Sequence, residues 1–270
     1  MNIGITGQNG FLGKHLISRF REDKISYSVC DREKYNLLNP QSLKDFVRSV
    51  DVIIHLAGVN RDTNFTILNG NVMGTAGLME AISLYNPKAK VIISSSYQAF
   101  TQDNIYGVSK KLAEDVVEKY ARIFSIPSIS LRISNIFGPD CKPYYNSVIA
   151  TFVDQIQQNK PLSINGDGSQ ERDFIYVSDV VDAILQAVWY KQDDLYENFT
   201  ICSGKTYSLN DIIRELQHIT KQDIVVNYNK DGQTGAKEIV ISNHTAKTRL
   251  DWEPKVSLRE GLEKILDKKH

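Results

Sequence analysis

Short β-branched runs and amphipathic stretches take turns through the first half of the chain. Ile3 to Thr6 reads as a strand, and the apolar positions from Phe11 to Arg21 recur at helical spacing. Ser26 to Cys30 predicts a second strand, and Gln41 to Val47 a helix opened by Asn39-Pro40. Asp51 to Leu56 (DVIIHL) is a continuous apolar run, the pattern of a parallel strand buried on both faces. Phe65 to Leu84 predicts a helix, Lys90 to Ser94 another buried strand, Tyr106 to Phe124 a long helix, and Ser128 to Ile133 a strand. Strand and helix alternating in this way predict an α/β fold built on a doubly wound parallel sheet.

Past about Ile136 the pattern changes. FGPDCKPYY reads as a loop leading to a helix near Val148 to Gln157, and INGDGSQERDF as a polar, hairpin-like insertion. Val177 to Tyr190 predicts a helix and Phe199 to Cys202 a strand. The tail carries short helices at Leu209 to Ile219 and Leu258 to Leu266, with one strand near Ile224 to Val226. The expected organisation is one domain over residues 1–140 plus about 173–205, and a smaller, interleaved C-terminal lobe over 141–172 and 206–270.

Composition narrows the function. Lysine plus arginine and aspartate plus glutamate each total 32, so the net charge is zero, and no general field draws DNA, RNA or an acidic membrane. No run approaches the roughly 20 apolar residues of a membrane span. The opening MNIGITG lacks the basic flank and apolar core of a secretory leader, so a cytoplasmic protein is expected. Cys30, Cys141 and Cys202 are widely spaced and odd in number, which fits a reducing compartment. The five histidines form no i, i+4 pair, and no metal site is expected.

Gly7, Gly10 and Gly13 lie between the first strand and the first helix. Glycines there let the backbone approach a pyrophosphate that sits at the positive end of a helix. Asp31, 18 residues after Gly13, stands where a carboxylate would bind an adenosine ribose, which favours NAD. Arg32 follows at once and would suit the 2′-phosphate of NADP, so cofactor preference stays open.

Tyr106 and Lys110 are spaced YxxxK, one helical turn apart and so on one face. A phenol of pKa near ~10 is a poor acid–base group at neutral pH, and an adjacent ammonium stabilises its anion. Ser94, Ser95 and Ser96 end the fourth strand, at the sheet edge where open α/β folds bind ligands. Glycine turn, serine run, tyrosine and lysine in this order predict acid–base redox chemistry on a carbonyl or alcohol.

Together these motifs resemble the extended short-chain dehydrogenase/reductase family, Rossmann-fold enzymes that include nucleotide-sugar epimerases, dehydratases and reductases. The resemblance implies that Ser96, Tyr106 and Lys110 are catalytic. It implies that Gly7, Asn9, Gly10, Phe11, Leu12, Asp31, Arg32, Asn36, Leu56, Ala57 and Gly58, with Tyr106 and Lys110, hold NAD(P)H. LRISNIFGP and GDGSQERDFIYVSDV resemble the family's substrate segments, which implies Asn135 and Arg172 as nucleotide-sugar contacts, with Tyr145 and Asn146 beside them and Ser96 at the reacting oxygen. The helices at Phe65 to Leu84 and Tyr106 to Phe124 resemble the family's dimer interface, so a homodimer is expected.

The reaction follows from what stands near the serines. Tyr97 and Gln98 leave no acid beside Ser96 for eliminating water, which argues against a dehydratase. Only ten residues separate Ser96 from Tyr106, fewer than in many relatives. This stretch resembles the reductase domain of bifunctional capsular-polysaccharide enzymes that reduce a UDP-linked 4-keto-6-deoxy sugar. A UDP- or dTDP-4-keto-6-deoxy sugar reductase is therefore expected. The alternatives are a 4-epimerase that keeps its NAD and, ranked lowest, a dinucleotide-sensing regulator.

Overall fold

The computed structural model describes residues 1–145, 147–229 and 241–267. The chain divides into two compact units. The first comprises Met1–Ile133, Val181–Ile201 and Thr245–Trp252, and the second Ser134–Val180, Cys202–His244 and Glu253–His270.

In the first unit, β1 (Ile3–Thr6), β2 (Tyr27–Val29), β3 (Val52–His55), β4 (Lys90–Ser96), β5 (Ser128–Ile133) and β9 (Tyr196–Ile201) form one six-stranded sheet. Its order is β2-β1-β3-β4-β5-β9, and every pairing is parallel. The chain reverses its direction of travel between β1 and β3, which makes their C-terminal ends the switch point where such sheets take ligands. The expected doubly wound parallel sheet is what forms. The second strand is shorter at both ends than its apolar run, and β9 begins earlier than expected, at Tyr196.

The helices of this unit are α1 (Phe11–Glu22), α2 (Lys44–Arg48), α3 (Asn64–Leu68), α4 (Gly74–Tyr85), α5 (Gln98–Thr101), α6 (Ile105–Phe124) and α10 (His244–Arg249), with the end of α8 (Val177–Trp189). One core cluster joins Phe46 and Val47 of α2, Leu78 and Ile82 of α4 and Val117 and Ala121 of α6 to Ile53, Val91 and Ile93 of the sheet. A second helical group, α1 and α8, is tied by Arg19 and Asp182, 2.8 Å apart. Where sequence periodicity predicts one helix over 65–84, α3 and α4 are joined by a turn of π-helix, Asn69–Met73. Periodicity could not reveal it, because one extra residue in a turn barely disturbs an apolar stripe.

Buried Glu114 of α6 and half-buried Arg132 of β5 form a two-pronged ion pair, with Nη2 to Oε2 at 2.6 Å and Nε to Oε1 at 2.9 Å. The Phe100 ring lies 4.3 Å from the Arg132 guanidinium. Burial opposes the cation, but the Glu114 carboxylate outweighs it and holds the Arg132 pKa above its ordinary value. The pair welds α6 to the sheet one turn beyond Lys110.

In the second unit, β6 (Asn135–Phe137) runs parallel to β8 (Glu171–Tyr176), which pairs antiparallel with β10 (Thr206–Ser208). β7 (Leu162–Asn165) pairs in parallel with β11 (Val226–Asn229). The hairpin expected at INGDGSQERDF is therefore corrected. Its two arms, β7 and β8, join different sheets, because partners distant in sequence outcompete the local turn. α7 (Val148–Gln157), α9 (Leu209–Thr220) and α11 (Leu258–Asp267) complete the unit. Ser208 and Asp211 make a reciprocal cap on α9. Buried Asp173 accepts from Ser134 Oγ at 2.6 Å, Ser203 N and Oγ at 2.9 Å, and Gly204 N at 2.8 Å. That carboxylate gathers three chain segments.

Gly77 gives a sign test of the packing of α4. An added Cβ would lie 2.0 Å from the Leu37 carbonyl oxygen, a backbone atom. Ala is otherwise the better helix former by about 1 kcal/mol. Gly77→Ala is expected to lose about 1–3 kcal/mol by overpacking. Thermal unfolding checks this, and an unchanged or raised Tm would refute the close approach.

Candidate active site

The glycine turn is built by exclusion of side chains. Gly7 has φ +77°, in the left-handed region, and a Cβ there would meet Ala57 N at 2.5 Å and the Leu56 carbonyl carbon at 2.6 Å. A Cβ at Gly13 would meet Gly7 O at 2.3 Å. Gly10 is the N-cap of α1, and no side chain caps that end. Backbone thus stands bare between the ends of β1 and β3 at the start of a helix, and this cradle fits a dinucleotide pyrophosphate. Asn9 is exposed, while Phe11 and Leu12 of the first turn are half-buried.

Asp31 and Arg32 follow β2, both exposed, and Asp31 Oδ1 accepts from Glu33 N at 3.1 Å. Asn36 folds onto its own loop, its Oδ1 accepting from Leu38 N at 2.9 Å. Leu56, Ala57 and Gly58 leave β3 against the glycine turn. A Cβ on Gly58 would touch Asn71 Oδ1 at 2.9 Å and Lys110 Nζ at 3.3 Å. The structure therefore gathers the glycine turn, the end of β3 and Lys110 around one sheet edge.

Helix α6 begins where Asn104 caps it, accepting from Gly107 N at 2.9 Å. Gly107 is needed there because a Cβ would lie 2.5 Å from Gln98 O. This start puts half-buried Tyr106 and buried Lys110 on one face, with Lys110 Nζ 5.8 Å from the Tyr106 ring centre. Lys110 Nζ donates to Ser94 O at 3.0 Å. Burial lowers the Lys110 pKa to about 8, against a smaller opposing pull from Glu114. Ser96 is buried, and its Oγ accepts from Gln98 N at 3.2 Å. An ammonium beside a phenol, at the end of a strand terminated by hydroxyls, can move a proton to or from an oxygen held there.

Sequence reasoning missed several supporting residues. Asn71, on the π turn, is buried; its Oδ1 accepts from Val59 N at 2.7 Å, and its Nδ2 donates to Val59 O at 2.9 Å and Ser109 Oγ at 2.8 Å. The available signal was an asparagine between Gly70 and Gly74 inside an apolar helix. Short α5 also went unseen; it occupies the brief Ser96–Tyr106 segment.

In the second unit, Asn135 Nδ2 donates to Asp173 O at 2.9 Å, and Arg172 Nη1 donates to Glu171 O at 2.6 Å. The two lie on neighbouring strands β6 and β8. Tyr145 is exposed, and Asn146 lies outside the described residues.

A parallel α/β sheet with a side-chain-free phosphate cradle and a buried lysine beside a tyrosine defines a dinucleotide-dependent enzyme class. The chain belongs to the NAD dependent epimerase/dehydratase family, whose profile matches residues 3–202. It is 27% identical to a putative UDP-glucose 4-epimerase of Methanocaldococcus jannaschii, over 97% of this chain and 96% of that one. It is 35% identical to a UDP-2-acetamido-2,6-beta-L-arabino-hexul-4-ose reductase of Pseudomonas aeruginosa, over 70% of this chain and 50% of the relative. Among solved structures, UDP-glucose 4-epimerase of Thermotoga maritima with UDP-glucose superposes with TM-score 0.89 at 26% identity, covering 99% of this chain and 98% of that one.

Lys110 carries a pH signature. With its folded-state pKa near 8, below the ordinary lysine value, the buried cation destabilises the fold at neutral pH. The unfolded chain keeps its proton to higher pH, so this cost fades as pH rises from about 8 toward about 10. Lys110→Met is expected to be more stable than the parent at pH 7, with the gap narrowing across that window. Urea midpoints at several pH values test it, and a gap independent of pH would refute it.

Proposed function

We propose that this protein is an NAD(P)H-dependent reductase of a UDP- or dTDP-linked 4-keto-6-deoxy sugar. The observation that carries the reading is the buried Lys110 one helical turn from Tyr106, beside the serine-ended β4 and the glycine cradle. The preference for a reductase is supported by the short Ser96–Tyr106 segment, the absence of an acid at Tyr97 and Gln98, and the 35% identity with the Pseudomonas reductase.

The nicotinamide, when bound, supplies a hydride to C4 of the sugar. Ser96 holds the carbonyl oxygen by a hydrogen bond, and Tyr106 gives its proton to the alkoxide that develops there. Lys110 orients the nicotinamide ribose and stabilises the Tyr106 phenolate left behind. Gly7, Asn9, Gly10, Phe11 and Leu12 would hold the pyrophosphate, Asp31, Arg32 and Asn36 the adenosine end, and Leu56, Ala57 and Gly58 the adenine side. Asn135, Tyr145, Asn146 and Arg172 are assigned to the nucleotide-sugar substrate, with Arg172 on the diphosphate.

A 4-epimerase is the second reading, favoured by end-to-end similarity to the two epimerases. It would use the same three residues and retain its cofactor. We assign the protein to the cytoplasm, from the wide spacing and odd number of Cys30, Cys141 and Cys202, which fit a reducing compartment. We also assign a homodimer. Its support is the apolar surface on α3, α4, α6 and the π turn, where Phe65, Met73, Leu84 and Ile123 are each more than half exposed.

Absorbance at the NAD(P)H band, with a UDP- or dTDP-4-keto-6-deoxy sugar, should fall in step with a 4-hydroxy product, and the faster cofactor identifies the preference. No net oxidation, together with NAD retained in the purified protein, would favour the epimerase. Tyr106→Phe is expected to cut turnover by roughly 10²- to 10⁴-fold. Sedimentation should give a dimer that Ile123→Glu dissociates; a monomeric parent would refute that assignment.

A further inference from the structure

One run of buried hydrogen bonds connects the end of β1 to the catalytic helix, and its direction can be worked out atom by atom. Thr75 Oγ has a single proton, which it donates to the Asn71 carbonyl at 2.6 Å. The contact between His55 Nε2 and Thr75 Oγ, at 3.1 Å, must then carry its proton on the histidine. With Nε2 protonated, His55 Nδ1 is an acceptor and takes the Thr6 hydroxyl proton at 2.7 Å. Thr6 Oγ in turn accepts from Ala57 N at 3.3 Å. The order is Ala57 N–H to Thr6, Thr6 to His55, His55 to Thr75, and Thr75 to the Asn71 carbonyl.

Beyond Asn71 the order continues. Its side-chain amide donates to Ser109 Oγ at 2.8 Å, and Ser109 Oγ donates to Tyr106 O at 2.7 Å. Thr6 immediately precedes the glycine turn, and Ser109 immediately precedes Lys110. His55, Thr75, Asn71 and Ser109 are all buried. A second proton on His55 would put an N–H where Thr6 Oγ now donates, and the Thr6 hydroxyl would have to turn to another acceptor. Burial, with the Lys110 ammonium adding to it, lowers the His55 pKa to about 3, so it is neutral at neutral pH.

We propose that His55, as the neutral Nε2–H tautomer, is a positioning residue that with Thr75 holds the π turn in place. Through Asn71 and Ser109 it sets where Tyr106 and Lys110 stand relative to the glycine turn. The hydroxyl of Thr75 takes the Asn71 carbonyl within the π turn, where ordinary helical bonding is interrupted. Without it that turn relaxes, and the Asn71 amide, which shares the space beside Gly58 with Lys110 Nζ, moves with it. The charged groups nearest this path are Lys110 and, one turn along α6, Glu114, whose partner is Arg132. The inference rests on the proposed catalytic pair, Tyr106 and Lys110.

Thr75→Val keeps the shape and removes the hydroxyl; Thr75→Ser keeps the hydroxyl. The first readout needs no substrate: the Tyr106 phenol titration followed by ¹³Cζ-tyrosine NMR, with the signal assigned by Tyr106→Phe. Thr75→Val is expected to raise the Tyr106 pKa by half a unit or more, and Thr75→Ser to leave it at the parental value. The second readout is turnover of the 4-keto sugar, where Thr75→Val should lose tenfold or more in kcat with KM for the sugar within twofold, and Thr75→Ser should retain it. Histidine ¹⁵N shifts should show His55 protonated on Nε2 alone. A folded Thr75→Val protein with an unshifted Tyr106 titration overturns the proposal, as does a His55 protonated on Nδ1. Absence of turnover by the parent overturns the proposed function instead, and the Tyr106 titration still decides this inference. If Thr75→Val fails to fold, Thr6→Val and Thr6→Ser break and keep the other end of the path, with the same expected shifts.

Discussion

Parallel pairing in register is the constraint on which the site depends. Thr6 stands opposite His55, His55 opposite Ile93, and Ile93 opposite Ser130. A row of this kind brings β1, β3 and β4 to the same sheet edge. Gly7, Leu56 and Ser94 therefore emerge as neighbours, although they are scattered over nearly ninety positions of sequence. A slip of one residue in any pairing would turn every side chain of that strand to the other face. The Ala57–Thr6–His55 hydrogen bonds would be lost with it.

Several polar groups buried near that edge are satisfied by one another or by neighbouring backbone. Asn71 uses its three described side-chain contacts to close the π turn on Val59 and Ser109. Glu114 and Arg132 satisfy each other between α6 and β5. A single missing partner in such a set leaves a desolvated group, which costs more than the bond itself contributes. That asymmetry makes the surroundings of Tyr106 and Lys110 stiff, which suits a pair whose chemistry depends on a fixed separation. The Lys110 ammonium has a partner in Ser94 O, yet burial weakens it as a cation.

The class of fold and the central residues were legible from the chain. Continuous apolar runs such as DVIIHL fit short strands covered on both faces, and YxxxK on an amphipathic helix must present both side chains together. The π turn was not legible, nor were the partners of β7 and β8. Asn71 looks like an ordinary polar residue in a helix until Val59 and Ser109 are seen around it. INGDGSQERDF has the turn residues of a hairpin, yet β11 and β6, distant in sequence, claim its arms.

Periodicity, glycine placement and residue spacing are local properties, and they determined by themselves the strand and helix alternation of the first half and its parallel sheet, and marked Gly7, Ser96, Tyr106 and Lys110 as candidates. Only the tertiary structure decided which strands pair in the second unit, that Asn71 turns inward, and that His55 bridges Thr6 and Thr75. Those outcomes depend on contacts between residues from twelve to sixty-odd positions apart. Their free energy comes from burial and mutual hydrogen bonding, and it does not exist until the chain has folded.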